Sequence, residues 1–176
     1  MKKYLEKYPW LRTQNLYTGE VEDDYCALND MPEGWFLAFG DMLCEEMDRV
    51  LRNLGVIDTF YISQIKEKFG SLRCYTSVMN EEIRNVLRKY EALSSHICVH
   101  CGKPDVHAID IGWFGPMCED CYKTQTHICD EYDYSDVIEQ DEAHMMPDDI
   151  HGTAAKIREL WKERQRNNSL KGSADE

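Results

Sequence analysis

The segment that decides how this chain is read runs from His96 to Tyr122: HICVHCGKPDVHAIDIGWFGPMCEDCY. It contains Cys98-x2-Cys101, sixteen intervening residues, then Cys118-x2-Cys121. A CxxC turn brings two thiolates to one point. Two such turns at this separation match the four-cysteine structural zinc pattern. Gly102 follows the first pair, where a left-handed turn residue is useful. The stretch between the pairs, with Val106, Ile109, Ile111, Trp113 and Phe114, predicts a short hairpin that returns the chain to the ion. The expectation is one structural Zn2+ on Cys98, Cys101, Cys118 and Cys121. An iron–sulfur cluster is the alternative for the same ligand set, and His96, His100, His107 and His127 lie near enough to replace a cysteine. Four sulfur donors leave no open coordination position, so the predicted role is to fasten a fold.

Outward from this segment, Asn80 reads as the N-cap of a helix that carries Glu81 and Glu82 in its first turn. Ile83, Val86, Leu87 and Tyr90 form its apolar stripe, and it ends near Ser94–Ser95. Before it, Thr59–Ile65 and Ser71–Val78 are rich in β-branched and aromatic residues and read as two strands. Lys66 to Gly70 serves as the connection between them. A longer helix is expected from Pro32 to Leu54, with Phe36, Phe39, Leu43, Met47, Val50 and Leu54 on one face and Gly55 as its stop. Residues 1 to 33 read as irregular, with a short helix before Pro9. A last helix is expected from Asp149 to Arg166, with Ile157, Leu160 and Trp161 as its apolar contacts. The tail from Asn167 to Glu176 is expected to fray.

These elements predict an α+β fold: helices packed on a small antiparallel β-hairpin, with a four-cysteine zinc-knuckle subdomain. The organisation expected is 1–95 as the α+β body, 96–129 as the zinc module, and 130–176 as an acidic segment with the C-terminal helix. No run approaches the ~20 apolar residues of a membrane helix, and MKKYLEKYPW has no apolar signal region behind its lysines. The expectation is a cytoplasmic protein, where eight cysteines are better explained as metal ligands and buried thiols than as disulfides. Of those outside the two pairs, Cys44 and Cys74 read as small buried hydrophobes.

Charge is the second feature. The 176 residues carry a formal net charge of −13, and the acids are blocked together. Between Thr13 and Asp48 there is no Lys or Arg but ten acids, including Glu20, Glu22, Asp23 and Asp24. Between Asp130 and Asp149 there are nine, including Asp130, Glu131, Asp133, Asp136, Glu139, Asp141 and Glu142. Such a chain repels nucleic acid over much of its surface and is steered toward basic partners. Double-stranded DNA presents one charge per ~1.7 Å of axis, so a carboxylate-dense surface can occupy a channel built for it. Glu20, Glu22, Asp23, Asp24, Asp130, Glu131, Asp133, Asp136, Glu139, Asp141 and Glu142 are the candidate partner-binding residues. The competing explanation of the acids is plain solubility. No catalytic signature or phosphate-binding glycine loop is present, and no enzyme activity is expected.

Gly34-Trp35, then Ile65-Lys66-Glu67-Lys68-Phe69-Gly70-x-Leu72-Arg73-x-Tyr75, then the two CxxC pairs, resemble small proteins encoded by phages and mobile elements of bacteria. The resemblance spans roughly residues 32 to 125. It implies a small zinc-containing α+β domain without an assigned activity. A short acidic zinc protein of this kind is similar to anti-CRISPR inhibitors of the type II RNA-guided nuclease, which holds its guide–target duplex in a positively charged channel. That likeness implies an inhibitor that blocks loading of target DNA, without direct DNA binding. Two alternatives stand beside it. One is an adaptor whose zinc module reads nucleic acid through a basic face at Lys66, Lys68, Arg73 and Lys123. The other is a phage hydrolase using a second metal held by histidines and acids.

Overall fold

The computed structural model describes residues 1–15, 18–110, 114–125 and 152–172. The chain opens with helix α1 (Lys2–Lys7), which the Pro9 signal predicts. A 3-10 turn over Pro9–Leu11 leads into a hairpin of β1 (Arg12–Gln14) and β2 (Val21–Cys26). This hairpin is absent from the sequence reading. Arg-Thr-Gln is too short and Val-Glu-Asp-Asp too acidic to show strand propensity.

After a 3-10 turn at Ala27–Asp30, helix α2 (Glu33–Trp35) widens into a π-helical stretch at Phe36–Gly40 and continues as α3 (Asp41–Leu54). The Phe36 ring lies over Gly40, where a β-carbon would approach within 2.7 Å of it. The wide turn shifts the buried stripe from the even spacing expected: Trp35, Ala38, Phe39, Leu43, Cys44, Met47 and Leu51 face inward, while Phe36, Val50 and Leu54 are only partly covered. Gly55 closes α3 at φ +67, the left-handed stop its sequence position predicts.

Strands β3 (Ile62–Lys68) and β4 (Ser71–Thr76) pair antiparallel with Lys66 opposite Arg73 and Lys68 opposite Ser71. The turn is therefore only Phe69-Gly70, both at positive φ (52 and 75), rather than the five-residue connection expected. Lys-Glu-Lys reads as a loop by its charge. In the sheet its polar ends reach solvent or bind locally, and Glu67 Oε1 accepts from Gly70 N at 2.7 Å.

Helix α4 (Glu81–Ser94) begins as predicted, with Asn80 Oδ1 accepting from Ile83 N at 2.9 Å. It lies on β4. Ser94, fully buried, accepts from Leu72 N at 2.8 Å and donates to Glu91 O, and Arg73 pairs with Glu91. The core unites α1, both hairpins, α3 and α4 around Trp35, Phe39, Tyr90 and Leu51. Helix α6 (Thr153–Gly172) adds Ala154 and Ile157 to that same core. It runs to Gly172, so Asn167–Gly172 is helical rather than frayed. Between α4 and α6 the knuckle contributes β5 (Ala108–Asp110), β6 (Phe114–Pro116) and α5 (Glu119–Gln125). The fold is α+β with a cysteine knuckle. Among the described residues no helix is long and apolar enough to cross a membrane.

Candidate metal centre

The first cysteine pair sits in a tight backbone loop. Cys98 N donates to Lys103 O at 2.9 Å, and Gly102 N donates back to Cys98 O at 3.0 Å. Gly102 completes the loop at φ +76, a conformation that L side chains rarely adopt. The predicted hairpin follows. β5 and β6 pair with Ile109 opposite Gly115, and Val99 N donates to Pro116 O at 3.1 Å, folding the strand end onto the first pair. Cys118 comes directly after this hairpin and Cys121 lies in the first turn of α5.

The result is convergence. The four sulfurs lie within 4.8 Å of one another, and Cys101 Sγ stands 3.6 Å from Cys118 Sγ. A tetrahedral ion with metal–sulfur bonds of about 2.3 Å requires sulfur–sulfur edges of about 3.8 Å. The geometry and the donor chemistry both fit one metal ion. Cys98 and Cys118 are buried, Cys101 and Cys121 half-buried. His96, His100 and His107 are not among the converging donors, and no second cluster of three or more ligating side chains occurs among the described residues.

The sulfurs perturb one another. Hydrogen bonds from Cys101 and then Cys118 hold the Cys98 thiol far below its ordinary range. Cys101 is driven the other way by its contacts with Cys118 and Cys98, and burial lifts Cys121 to about 12. Four thiols this close share charge unequally. A divalent cation is the partner that allows all of them to ionise.

The centre is joined to the body through glycines and one tryptophan. Gly34 N donates to Val99 O at 2.8 Å, and Trp35 Nε1 donates to Ile97 O at 2.8 Å. A β-carbon on Gly34 would stand 2.2 Å from Cys98 O, and one on Gly102 would stand 2.5 Å from Gly34 O. Gly34-Trp35 thus grips the backbone that carries the first two ligands. From the other side, Arg158 on α6 pairs with Asp105 in a two-pronged contact of 2.8 and 2.9 Å. Arg164, farther along α6, reaches over Gly102. The sequence holds a signal for Arg164: it stands seven residues after Ile157 and three after Trp161, on the apolar face of its helix.

The acidic candidates divide. Glu20, Glu22 and Asp24 are exposed on the β1–β2 hairpin, beside Val21, which is 53% exposed. Asp23 lies in β2. Asp130, Glu131, Asp133, Asp136, Glu139, Asp141 and Glu142 lie outside the described residues. Other acids of the first block serve the fold. Asp41 accepts from Tyr4 Oη at 2.5 Å, Asp48 from Trp10 Nε1 at 3.1 Å, and Glu46 binds both Lys89 and Tyr90. Burial, reinforced by these carboxylates, raises the Tyr4 and Tyr90 phenols well above their usual range.

Two of the four cations of the expected basic face are paired with carboxylates, and two lie over aromatic rings. Arg73 is tied to Glu91 and Lys123 to Glu119. Lys66 and Lys68 lie over the Tyr75 and Phe69 rings at 5.7 and 5.4 Å. An open cleft of about 680 Å³ between Trp10, Arg12, Arg52, Phe60 and Tyr61 is lined by no histidine or cysteine among the described residues. No protein-family model matches this chain, and no curated protein or solved structure matches it either.

Proposed function

We propose that this chain is a non-catalytic binding protein, folded around one structural zinc ion, that engages a basic nucleic-acid-handling protein through its acidic surface. The observation that carries the reading is the β1–β2 hairpin. It presents Glu20, Glu22 and Asp24 to solvent, with the apolar Val21 beside them, in a stretch without a single Lys or Arg from Thr13 to Asp48. Carboxylates around an apolar anchor suit a groove lined by Lys and Arg. Zinc is favoured over an iron–sulfur cluster because the sulfurs close to single-ion spacing. A tetrahedral four-sulfur site has no position for substrate, which supports a fastening role. The cytoplasm, with its reduced thiols, is the compartment that suits this site.

The resemblance to anti-CRISPR inhibitors makes the type II RNA-guided nuclease the first partner to test. Zinc-loaded protein is titrated onto the nuclease–guide complex before and after target DNA is loaded. Tight binding to the first state, weakened at least tenfold in the second, is expected, with slower association for the triple variant Glu20→Gln, Glu22→Gln, Asp24→Asn. Equal binding to both states with cleavage intact removes this partner. Salt-sensitive binding to bare DNA would instead favour the adaptor reading, against which the pairing of Arg73 and Lys123 counts. Metal analysis giving iron with visible absorption in place of one zinc per chain would overturn the choice of ion.

A further inference from the structure

We infer that Arg164 is the charge-balancing partner of the metal centre, and that through it helix α6 is latched to the knuckle in a metal-dependent way. The inference rests on the metal reading above. A divalent ion bound by four thiolates carries two excess negative charges, and such a site is stabilised by donors directed at its sulfurs. Arg164 lies beside the loop that carries the first cysteine pair. Its Nη2 lies 3.3 Å from where a β-carbon of Gly102 would stand, one residue beyond Cys101.

The guanidinium is otherwise an expensive group to place there. Its Nε and Nη2 are buried and have no hydrogen-bond partner among the described residues. The Trp161 ring lies 5.2 Å from Cζ. Arg164 is half-buried, and nitrogens of a guanidinium that are covered without a partner are unfavourable unless they face an anion. The neighbouring group able to carry negative charge is the cysteine cluster, because Gly102 directly follows Cys101. One turn and a half earlier on the same helix, Arg158 grips Asp105 of the knuckle. The two arginines differ in what they need. The Asp105 pair is complete in itself, whereas Arg164 acquires its counter-charge only when all four sulfurs are ionised around a cation. Metal loading is thereby expressed as tighter seating of the α6 segment that carries Arg164.

The test uses the full-length chain and Co2+ and Zn2+ as probes. Competition against a chromophoric chelator gives the affinity of the wild type, Arg164→Met, Arg164→Lys and the exposed control Arg166→Gln. The Arg164→Met chain is expected to bind roughly tenfold to a hundredfold more weakly, as loss of a second-layer donor to a metal ligand does. Arg164→Lys should recover part of the loss, and Arg166→Gln should match the wild type. The sulfur-to-cobalt charge-transfer band should move to lower energy in Arg164→Met, since an unbonded thiolate holds its electrons less tightly, and return toward the wild-type position in Arg164→Lys. Hydrogen exchange of the α6 amides around Arg164 should accelerate on chelation of the wild type. Unchanged affinity and an unchanged band in Arg164→Met overturn the inference while leaving the metal centre standing. A wild-type chain that takes up neither ion overturns the centre itself, before any variant is compared.

Discussion

The body and the knuckle are held together by opposite means. The body has a continuous apolar core from Tyr4 to Val99, joined by Ala154 and Ile157, with large side chains such as Trp35, Phe39 and Tyr90 fully buried. The knuckle's own cluster contains six buried residues among those described, and Cys98 and Cys118, two of the ligands, are among them. Val106, Ile109, Met117 and Tyr122 are too few to order the hairpin and turns around them by burial alone. What the knuckle lacks in apolar area, a cation on its four sulfurs would supply. The body needs none. Stability in this chain is therefore not one quantity but two, and they can be separated by experiment.

The sharpest separation is metal removal. A strong chelator, or Cys101→Ser, should unfold the knuckle, since structural sites of this kind contribute about 10 kcal/mol or more to folding. Amide exchange should show protection lost around Cys98–Tyr122 while the amides of α3 and α4 remain protected. Collapse of both regions together would merge the two into one unit. Lowering the pH should act in the same direction, because protons compete with the ion for thiolate.

Gly34→Ala tests the joint rather than either region. Its β-carbon would meet Cys98 O and Gly102 N, backbone atoms that cannot turn aside. A loss of about 3 kcal/mol or more is expected in thermal unfolding, with metal stoichiometry preserved. Trp35→Phe, which leaves Ile97 O without its indole donor, should cost about 1–3 kcal/mol.

The body offers a smaller effect of the opposite sign. Phe69 holds φ +52 at the tip of β3–β4 while 76% exposed, in a turn that favours Asn-Gly. Phe69→Asn should raise stability by about 1 kcal/mol in denaturant titration, with metal affinity unchanged. A further test is alkaline. Burial pushes the Cys74 thiol from 9.0 to about 12. The folded state holds this proton more tightly than the unfolded one, so its contribution is complete below pH 9 and lost as pH rises toward 12. Chevron or melt data across that window should show a gradual decline in the body's stability, and Cys74→Ala should remove its share while the raised Tyr4 and Tyr90 phenols keep theirs.

The legible parts of the sequence were those with short-range causes. Asn80 capping, the Gly55 stop and the two CxxC turns each depend on residues within a few positions, and each stands where the sequence puts it. The parts that escaped depend on distant partners. β1–β2 forms from residues with little strand propensity, and the π turn at Phe36–Gly40 answers the packing of one ring over one glycine. Lys66–Lys68 joins the sheet despite its charge because β4 is there to pair with it. At the centre, the ligands were readable but their supports were not. The grip of Trp35 on Ile97 spans 62 positions and that of Arg158 on Asp105 spans 53. No local pattern encodes either.

The seam where Gly34 meets Gly102 carries a last consequence. Main chain lies against main chain there, with no side chain between to trim or repack. Most joints between structural units drift, as one residue shrinks while its neighbour grows. This one has no such currency of small exchanges. The knuckle is therefore a poor cassette: transplanted alone it would leave its glycine mate behind, and a foreign knuckle brought in would have to present bare backbone at the same place. Grafting designs that move residues 96–122 should carry Gly34-Trp35 with them.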